Sequence, residues 1–208
     1  MKVYELKANS DDMWIWFYTV DGPTTPLYSG ETQGFFESQP RIRIDRNTRK
    51  SPRGSRAVLP DLSCLDSGSE PCFSERAKNI LGPHIDGLGQ WLALGCDEAP
   101  YWLFNVTNIV DALDEANSEL VRFSSGRIME IAQFTFYPTK LQGHLFFHVP
   151  QGPGGPNLVT QDFVDLVHEH GLTGFSFRLL WSEEGGAVSS KLKDWERPRI
   201  TGLEPRQA

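Results

Sequence analysis

The stretch that most constrains the fold is residues 101–114, Tyr-Trp-Leu-Phe-Asn-Val-Thr-Asn-Ile-Val-Asp-Ala-Leu-Asp. Its first part consists of large apolar and β-branched residues, which predict a buried strand. Its second part combines Asn and Asp with an Ile-Val-x-Ala-Leu cluster, which predicts a single turn of helix. Strands and a helix are predicted after this stretch, whereas the residues before it are less regular. We therefore expect residues 101–114 to join two parts of the molecule.

The composition favours strands connected by loops over a helical bundle. The chain has 208 residues, among them 14 prolines and 19 glycines, which punctuate it with turns. The predicted fold class is α+β, with mainly antiparallel sheets and two or three short helices. Two segments, 73–81 and 159–167, share one plan: an apolar strand end, a hydroxyl residue that can cap a helix, and a short amphipathic helix. This shared plan suggests two topologically similar halves.

The local patterns divide the chain into a domain and a tail. We predict one domain over residues 1–181, with an N-terminal part (1–100) and a C-terminal part (101–181), followed by a polar tail over 182–208. Within it, Ser74 is predicted to cap a helix that ends at Gly82-Pro83. Residues 127–137 and 144–149 are predicted to pair as a hairpin.

The sequence predicts a cytoplasmic protein that does not associate with membranes. No apolar run approaches the length of about 18 residues that a membrane-spanning helix needs. The first 12 residues carry charges where a signal peptide has an apolar core. The three cysteines are an odd number without CxxC spacing, which predicts reduced thiols and neither a disulfide framework nor a zinc site.

The net charge of −7 conceals a basic arm, defined here as residues 41–56. The arm holds seven Lys or Arg and one acid, so the remaining residues hold 13 basic and 26 acidic side chains. A solvated loop is one interpretation, and nucleic-acid or nucleotide phosphate binding is the alternative. Nucleic acid is the less favoured partner, because the arm lacks aromatic residues and a glycine-rich phosphate cradle. The arginines of this alternative site are Arg41, Arg43, Arg46, Arg49 and Arg53.

No catalytic, cofactor or metal motif is present in the sequence. The nucleophile elbow, the Walker loop, the dinucleotide fingerprint and the zincin motif are all missing. His144 and His148 on one strand would lie about 13 Å apart, too far for one metal ion. We therefore predict no catalytic residues, no metal and no cofactor. An enzyme that detoxifies a substrate stays an alternative, which a pocket joining His144 or His148 to a carboxylate would favour.

Several segments resemble family 11 of the immunity proteins of bacterial polymorphic toxin systems, formerly a family of unknown function typified by myxobacteria. They occur in the order expected for the family and cover roughly residues 60–181. Each is a hydrophobic framework motif, and their order and spacing together carry the resemblance. The segments are residues 73–81, 101–114, 134–143, 146–150, 159–163 and 171–177.

The resemblance implies an α+β protein that binds and neutralises a cognate toxin, encoded by a neighbouring gene, through protein–protein contact without catalysis. An acidic body is suited to a basic partner such as a nuclease, because its carboxylates can imitate the phosphates of the substrate. A solvated acidic face is the alternative interpretation. The residues proposed for partner binding are Asp97, Glu98, Asp114, Glu115 and Glu119.

Overall fold

The computed structural model describes residues 1–9, 17–21, 43–46, 59–64, 70–96, 99–152, 155–188 and 199–201. Within these residues, two α-helices and mainly antiparallel sheets confirm the predicted α+β class. The helices are α1 (Glu75–Ile85) and α2 (Gln161–Glu169). One 3-10 turn directly follows α1 at Asp86–Leu88, and another lies before α2 at Pro138–Lys140. The strands are β1 (Lys2–Ala8), β2 (Phe17–Asp21), β3 (Arg43–Arg46), β4 (Leu62–Cys64), β5 (Pro71–Ser74), β6 (Gly89–Leu94), β7 (Tyr101–Val106), β8 (Glu119–Arg122), β9 (Ile128–Gln133), β10 (Phe146–Phe147), β11 (Leu158–Thr160), β12 (Phe175–Ser182), β13 (Gly186–Ala187) and β14 (Arg199–Thr201).

The larger sheet is built around β1. Its order is β10-β11-β1-β12-β13, with β14 also pairing with β12, and every pair is antiparallel. Since successive side chains of a strand point to opposite faces, Tyr4 and Leu6 enter one hydrophobic cluster and Val3 enters another. The sheet therefore has packed side chains on both faces.

The second sheet has the order β4-β5-β7-β6 and shares a core with the first. Both helices and both sheets contribute to the larger hydrophobic cluster. Aromatic rings connect them: Phe73 contacts Phe104 at 6.2 Å between ring centroids, Phe104 contacts Phe146 at 5.6 Å, and Phe146 contacts Phe163 at 5.5 Å. These rings run from the second sheet through β10 to α2, so the two sheets pack as parts of one core.

Helix α1 begins where the sequence predicts and ends later. Ser74 is its N-cap, and the Ser74 hydroxyl accepts a hydrogen bond from the Ala77 amide at 3.1 Å. The predicted end at Gly82-Pro83 is wrong, because the helix continues through Pro83 to Ile85. Pro83 cannot donate the backbone bond of a helix interior, but Ile85 is fully buried in the larger cluster. Burial of Ile85 offsets the missing bond, which a pattern of helix-breaking residues does not reveal.

The predicted pairing of residues 127–137 with 144–149 is also wrong. β9 pairs with β8 in a separate two-stranded ribbon, and β10 pairs with β11 in the larger sheet. The alternating phenylalanines at 134 and 136 follow β9 and face the smaller hydrophobic cluster. Alternation therefore identified an extended, half-buried segment correctly, but it carried no information on the partner strand.

The shared plan of the two segments is present as strand, cap and helix: β5 leads directly into α1, and β11 leads directly into α2. Only the first cap uses its side chain, since the Thr160 hydroxyl makes no capping hydrogen bond. β13 and β14 lie in the segment predicted as a tail, and both pair with β12. The division at residues 100 and 181 stays a prediction.

Candidate functional site

The second half of the 101–114 stretch connects three elements through its backbone. After β7, the amide of Asn108 donates to the Leu88 carbonyl at 3.0 Å, and its carbonyl accepts from His148 at 2.9 Å. Further on, the Asp114 amide donates to the Thr135 carbonyl at 2.9 Å. The predicted turn of helix is therefore wrong, because these backbone groups bond to neighbouring segments. Residues 107–114 are called the connector below, since they join the second sheet, the edge of the larger sheet and the segment after β9.

The Asn108 side chain fixes the connector against β10. Its amide donates to the Phe146 carbonyl at 2.9 Å and lies 3.2 Å from Nδ1 of His144. An imidazole nitrogen that faces an amide N–H can accept its hydrogen bond, so this contact favours the tautomer with the proton on Nε2. The side-chain amide of Asn108 thus bonds to β10 and to the segment before it.

Asp114 holds the turn that leads into β8. Its carboxylate accepts hydrogen bonds from the side chain of Asn117 at 2.7 Å and from the backbone amides of Ala116 and Asn117. These bonds, led by the Asn117 side chain and joined by one from Tyr137, hold the pKa of the Asp114 carboxyl below its ordinary value. The hydrogen bond that the Tyr137 hydroxyl donates to the Asp114 carboxylate raises the pKa of the Tyr137 phenol. Asp114 is itself buried.

The β8–β9 hairpin presents charged and apolar side chains. Its turn is closed by Gly126, which has a φ of 83° and donates to the Phe123 carbonyl at 2.9 Å. Arg122 pairs with Glu115 at 2.9 Å, and Glu119 accepts from Gln133 at 2.7 Å. The carboxylates of Glu115 and Glu119 therefore lie exposed at the base of the hairpin, each next to a polar partner.

Two large apolar side chains are exposed on the same hairpin. Phe123 is 43% exposed and Met129 is 53% exposed, although most large apolar side chains of the described residues are buried. The guanidinium of Arg127 lies 5.0 Å from the centre of the Phe123 ring, in the position of a cation–π contact. Exposed apolar side chains beside charged ones are typical of protein-interaction surfaces.

A groove of about 920 Å³ runs beside this hairpin. One wall is formed by the hairpin and Phe134, and the other by residues 150–152 and 155–156 together with Glu5 and Arg178. Glu5 and Arg178 form an ion pair across β1 and β12, and Lys7 lies 3.4 Å from the same carboxylate. The groove is therefore lined by apolar groups, three arginines and two glutamates, in a protein whose net charge is −7.

The structure brings some of the predicted binding residues together. Asp114, Glu115 and Glu119 gather at the base of the hairpin: the first is buried, and the other two are exposed. Asp97 and Glu98 lie outside the described residues.

Of the arginines in the alternative site, Arg41, Arg49 and Arg53 lie outside the described residues. Arg43 and Arg46 lie in β3, which pairs with β2, and only their backbone is described. The nucleic-acid alternative therefore stays a prediction.

Sequence reasoning missed Phe123, Arg127 and Met129. The available signal was the pair of Phe123 and Met129 on either side of the Ser-Ser-Gly turn at 124–126, since apolar residues so close to a polar turn have few ways to be buried.

A second depression of about 420 Å³ is lined by His144, Asp162 and Glu183, among other residues. The Glu183 carboxylate pairs with the Met1 amino group at 3.1 Å. The His144 ring contacts the Asn108 amide, and no contact with a carboxylate is recorded among the described residues. Within the same residues, no group of three His, Cys, Asp or Glu side chains could hold a metal ion.

Residues 92–180 match a family of immunity proteins. The family is Imm11, and the match confirms the resemblance inferred from the sequence over somewhat less than half of the chain. The matched segment includes β7, the connector, the hairpin and most of β12. No curated protein matches the chain. Among the described residues, no helix is long and apolar enough to cross a membrane.

Proposed function

We propose that this protein is an immunity protein that binds a cognate toxin, encoded by a neighbouring gene, and neutralises it in the cytoplasm by contact alone. The observation that carries the proposal is the Imm11 match over residues 92–180. That segment contains the most exposed apolar residues of the hairpin and the acidic residues at its base. Immunity by binding needs a rigid scaffold and a complementary surface, and it needs no catalytic group.

The proposed binding surface is the hairpin with its acidic base. Glu115 and Glu119 would contact basic groups of the toxin, while Phe123 and Met129 supply apolar contact area. Asp114 contributes indirectly, because its carboxylate shapes the turn that presents Glu115. Asp97 and Glu98 remain part of the proposed acidic surface as sequence candidates.

The proposal is tested by expressing the toxin encoded beside this gene, with and without this protein, and by measuring growth and copurification. We expect rescue of growth and a stable complex. Glu115→Lys combined with Glu119→Lys should weaken the complex, since both carboxylates are exposed and reversal places like charges against a basic partner. The matched control is Glu169→Lys, an exposed acid at the end of α2, where a lysine is compatible with the helix dipole.

Three results would decide the matter. Toxicity that persists with full expression of the folded wild type would refute the immunity role. Rescue that survives the double charge reversal would retain the role but remove the acidic base from the interface. If the toxin is covalently modified after contact with the wild-type protein, neutralisation is catalytic and does not occur by contact alone. The intact masses of both proteins would reveal this modification.

A further inference from the structure

The groove runs along the edge of β9. Five consecutive residues, Arg127 through Ile131, line it. Successive side chains of a strand point to opposite faces, so a continuous run of lining residues means that the groove follows the strand edge and not one face. β8 contributes only Arg122 to the lining, and β9 pairs with β8 on its other side. Within the described residues, no strand pairs with the groove edge of β9.

An unpaired strand edge offers backbone N–H and C=O groups to another chain. Two-stranded ribbons are marginally stable alone, so an added strand would also stabilise the hairpin. The groove between β9 and residues 150–152 and 155–156 has a volume of about 920 Å³, which offers room for such a strand. Near Gly152 the walls approach, since a Cβ there would lie 3.6 Å from the Ile131 side chain. The groove therefore narrows at one point of its length.

The side chains of the groove define what such a strand should carry. Ile128, Ile131 and Phe134 provide an apolar lining. Of the charges that line the groove, three are arginines and two are glutamates, although the protein as a whole is acidic. The recorded contact of Arg127 is with the Phe123 ring, which orients the guanidinium and leaves its N–H groups for a carboxylate.

We propose that the groove binds an extended segment of the toxin that adds as a strand to the edge of β9. The segment places an apolar side chain between Ile131 and Phe134, and an Asp or Glu against Arg127. This mode of recognition obtains affinity from backbone hydrogen bonds and specificity from alternate side chains. The inference rests on the proposed immunity function. The inference specifies the part of the toxin that the groove binds, which is an extended segment with acidic and apolar side chains. The acidic base of the hairpin, in contrast, contacts basic groups of the toxin.

The experiment compares complexes of the toxin with the wild type, Arg127→Glu and Met129→Glu. Arg127→Glu should weaken binding by about tenfold or more, because it places two carboxylates together. Met129→Glu should weaken it as well, since it removes exposed apolar area at the strand edge. Lys2→Glu is the control: the lysine is exposed at one end of β1 and does not line the groove. Circular dichroism checks that each variant folds.

Amide hydrogen exchange in the complex tests the strand itself. Binding should slow exchange at residues 128–131 of the wild type, because backbone amides at the edge become hydrogen-bonded. If the wild type binds and rescues while both groove variants bind equally well and these amides stay unprotected, the strand inference is wrong and the immunity role stands.

The remaining outcomes are also distinguishable. A wild type that neither binds nor rescues refutes the immunity role and this inference together. A toxin-free protein that dimerises, with Arg127→Glu abolishing the dimer, would show a second copy in the groove and overturn the choice of partner.

Discussion

Replacing Asp61 with alanine should lower the free energy of unfolding by about 3 kcal/mol. The Asp61 side chain joins three parts of the fold and is almost fully buried, with 7% of the residue exposed. It accepts hydrogen bonds from Ser74 at the start of α1, from Arg76 in its first turn, and from Thr173 after α2. Loss of this carboxylate therefore affects both helices at once.

The magnitude follows from what each donor can do after the change. The Thr173 amide donates at 2.9 Å and belongs to the backbone, so it cannot rotate towards water and should cost about 1–3 kcal/mol when left unpaired. The Ser74 and Thr173 hydroxyls can reorient, and the Arg76 side chain is 51% exposed and can be rehydrated. Their contributions are therefore smaller than about 1.5–3 kcal/mol each, the usual range for bonds to a charged group.

Asparagine at the same position keeps one acceptor oxygen and the shape of the side chain. Asp61→Asn should therefore cost about half as much as Asp61→Ala, on the order of 1.5 kcal/mol. Arg76→Ala leaves the Ser74 and Thr173 bonds and removes the cation together with its hydrogen bonds to the His170 and Gly171 carbonyls, so its loss is an upper limit for the ionic contribution. The matched control is Glu169→Ala, which removes an exposed carboxylate and should change the stability by about 0.5 kcal/mol or less.

The assay is urea unfolding followed by circular dichroism and tryptophan fluorescence, with coincidence of the two probes as the test of two-state behaviour. A loss for Asp61→Ala of about 1 kcal/mol or less, with an unchanged slope against urea, would refute the reasoning. It would mean that the donors find other partners, and that the junction between the two helices does not depend on this carboxylate.

Three further predictions concern single side chains. Gly174→Ala should destabilise the protein by about 3 kcal/mol or more, because Gly174 has a φ of 84° and a Cβ would lie 2.3 Å from a backbone oxygen. Gly126→Ala should cost about 1 kcal/mol, because Gly126 has a similar φ of 83° but open space around the position of a Cβ. Equal losses for the two variants in urea unfolding would contradict the steric argument. Burial lowers the pKa of the His148 imidazole below its ordinary value of 6.5, so the unfolded state takes up the proton at a higher pH than the folded state, and the free energy of unfolding should fall as the pH drops below about 6.5. His148→Gln should make the free energy of unfolding depend less on pH in this range. An unchanged pH dependence would assign the effect to other groups. Asn108→Ala should lower the free energy of unfolding by about 1–2 kcal/mol in the same assay, because the hydrogen bond to the Phe146 carbonyl is lost. Asn79→Ala, at an exposed position of α1, is the control. Equal effects of the two variants would show that Asn108 does not fix β10.

The sequence predicted those parts of the fold that depend on neighbouring residues. Ser74 is the N-cap of α1 because a hydroxyl directly before an amphipathic pattern can satisfy the first amides of a helix. Phe175, Phe177 and Trp181 recur at every second position or a multiple of it, a pattern typical of a half-buried strand, and they lie in β12. Prediction was wrong for Pro83, where tertiary burial of Ile85 outweighs the local preference of proline.

The parts that depend on distant residues left little local signal. β8 has exposed and half-buried residues without strict alternation, and its register with β9 shifts twice, so its pattern resembles a loop. Asp61 lies in a polar segment, where its four hydrogen bonds cannot be distinguished from solvation. At the candidate site, the acidic residues at 114–119 were found by their charge. The groove was not found, because its walls come from the hairpin, from β1 and β12, and from residues 150–152 and 155–156, which are distant in sequence.

The central position of β1 has a consequence for the order in which the molecule can be assembled during synthesis. Val3 pairs with Thr160 on one side and with Trp181 on the other, so β1 cannot complete its pairing until residue 182 has emerged. Contacts between residues so distant in the chain slow folding. Until then, the nascent chain must carry Val3, Tyr4 and Leu6 uncovered. A chain whose synthesis stops before β12 would therefore lack a partner strand of β1 and could not complete the larger sheet.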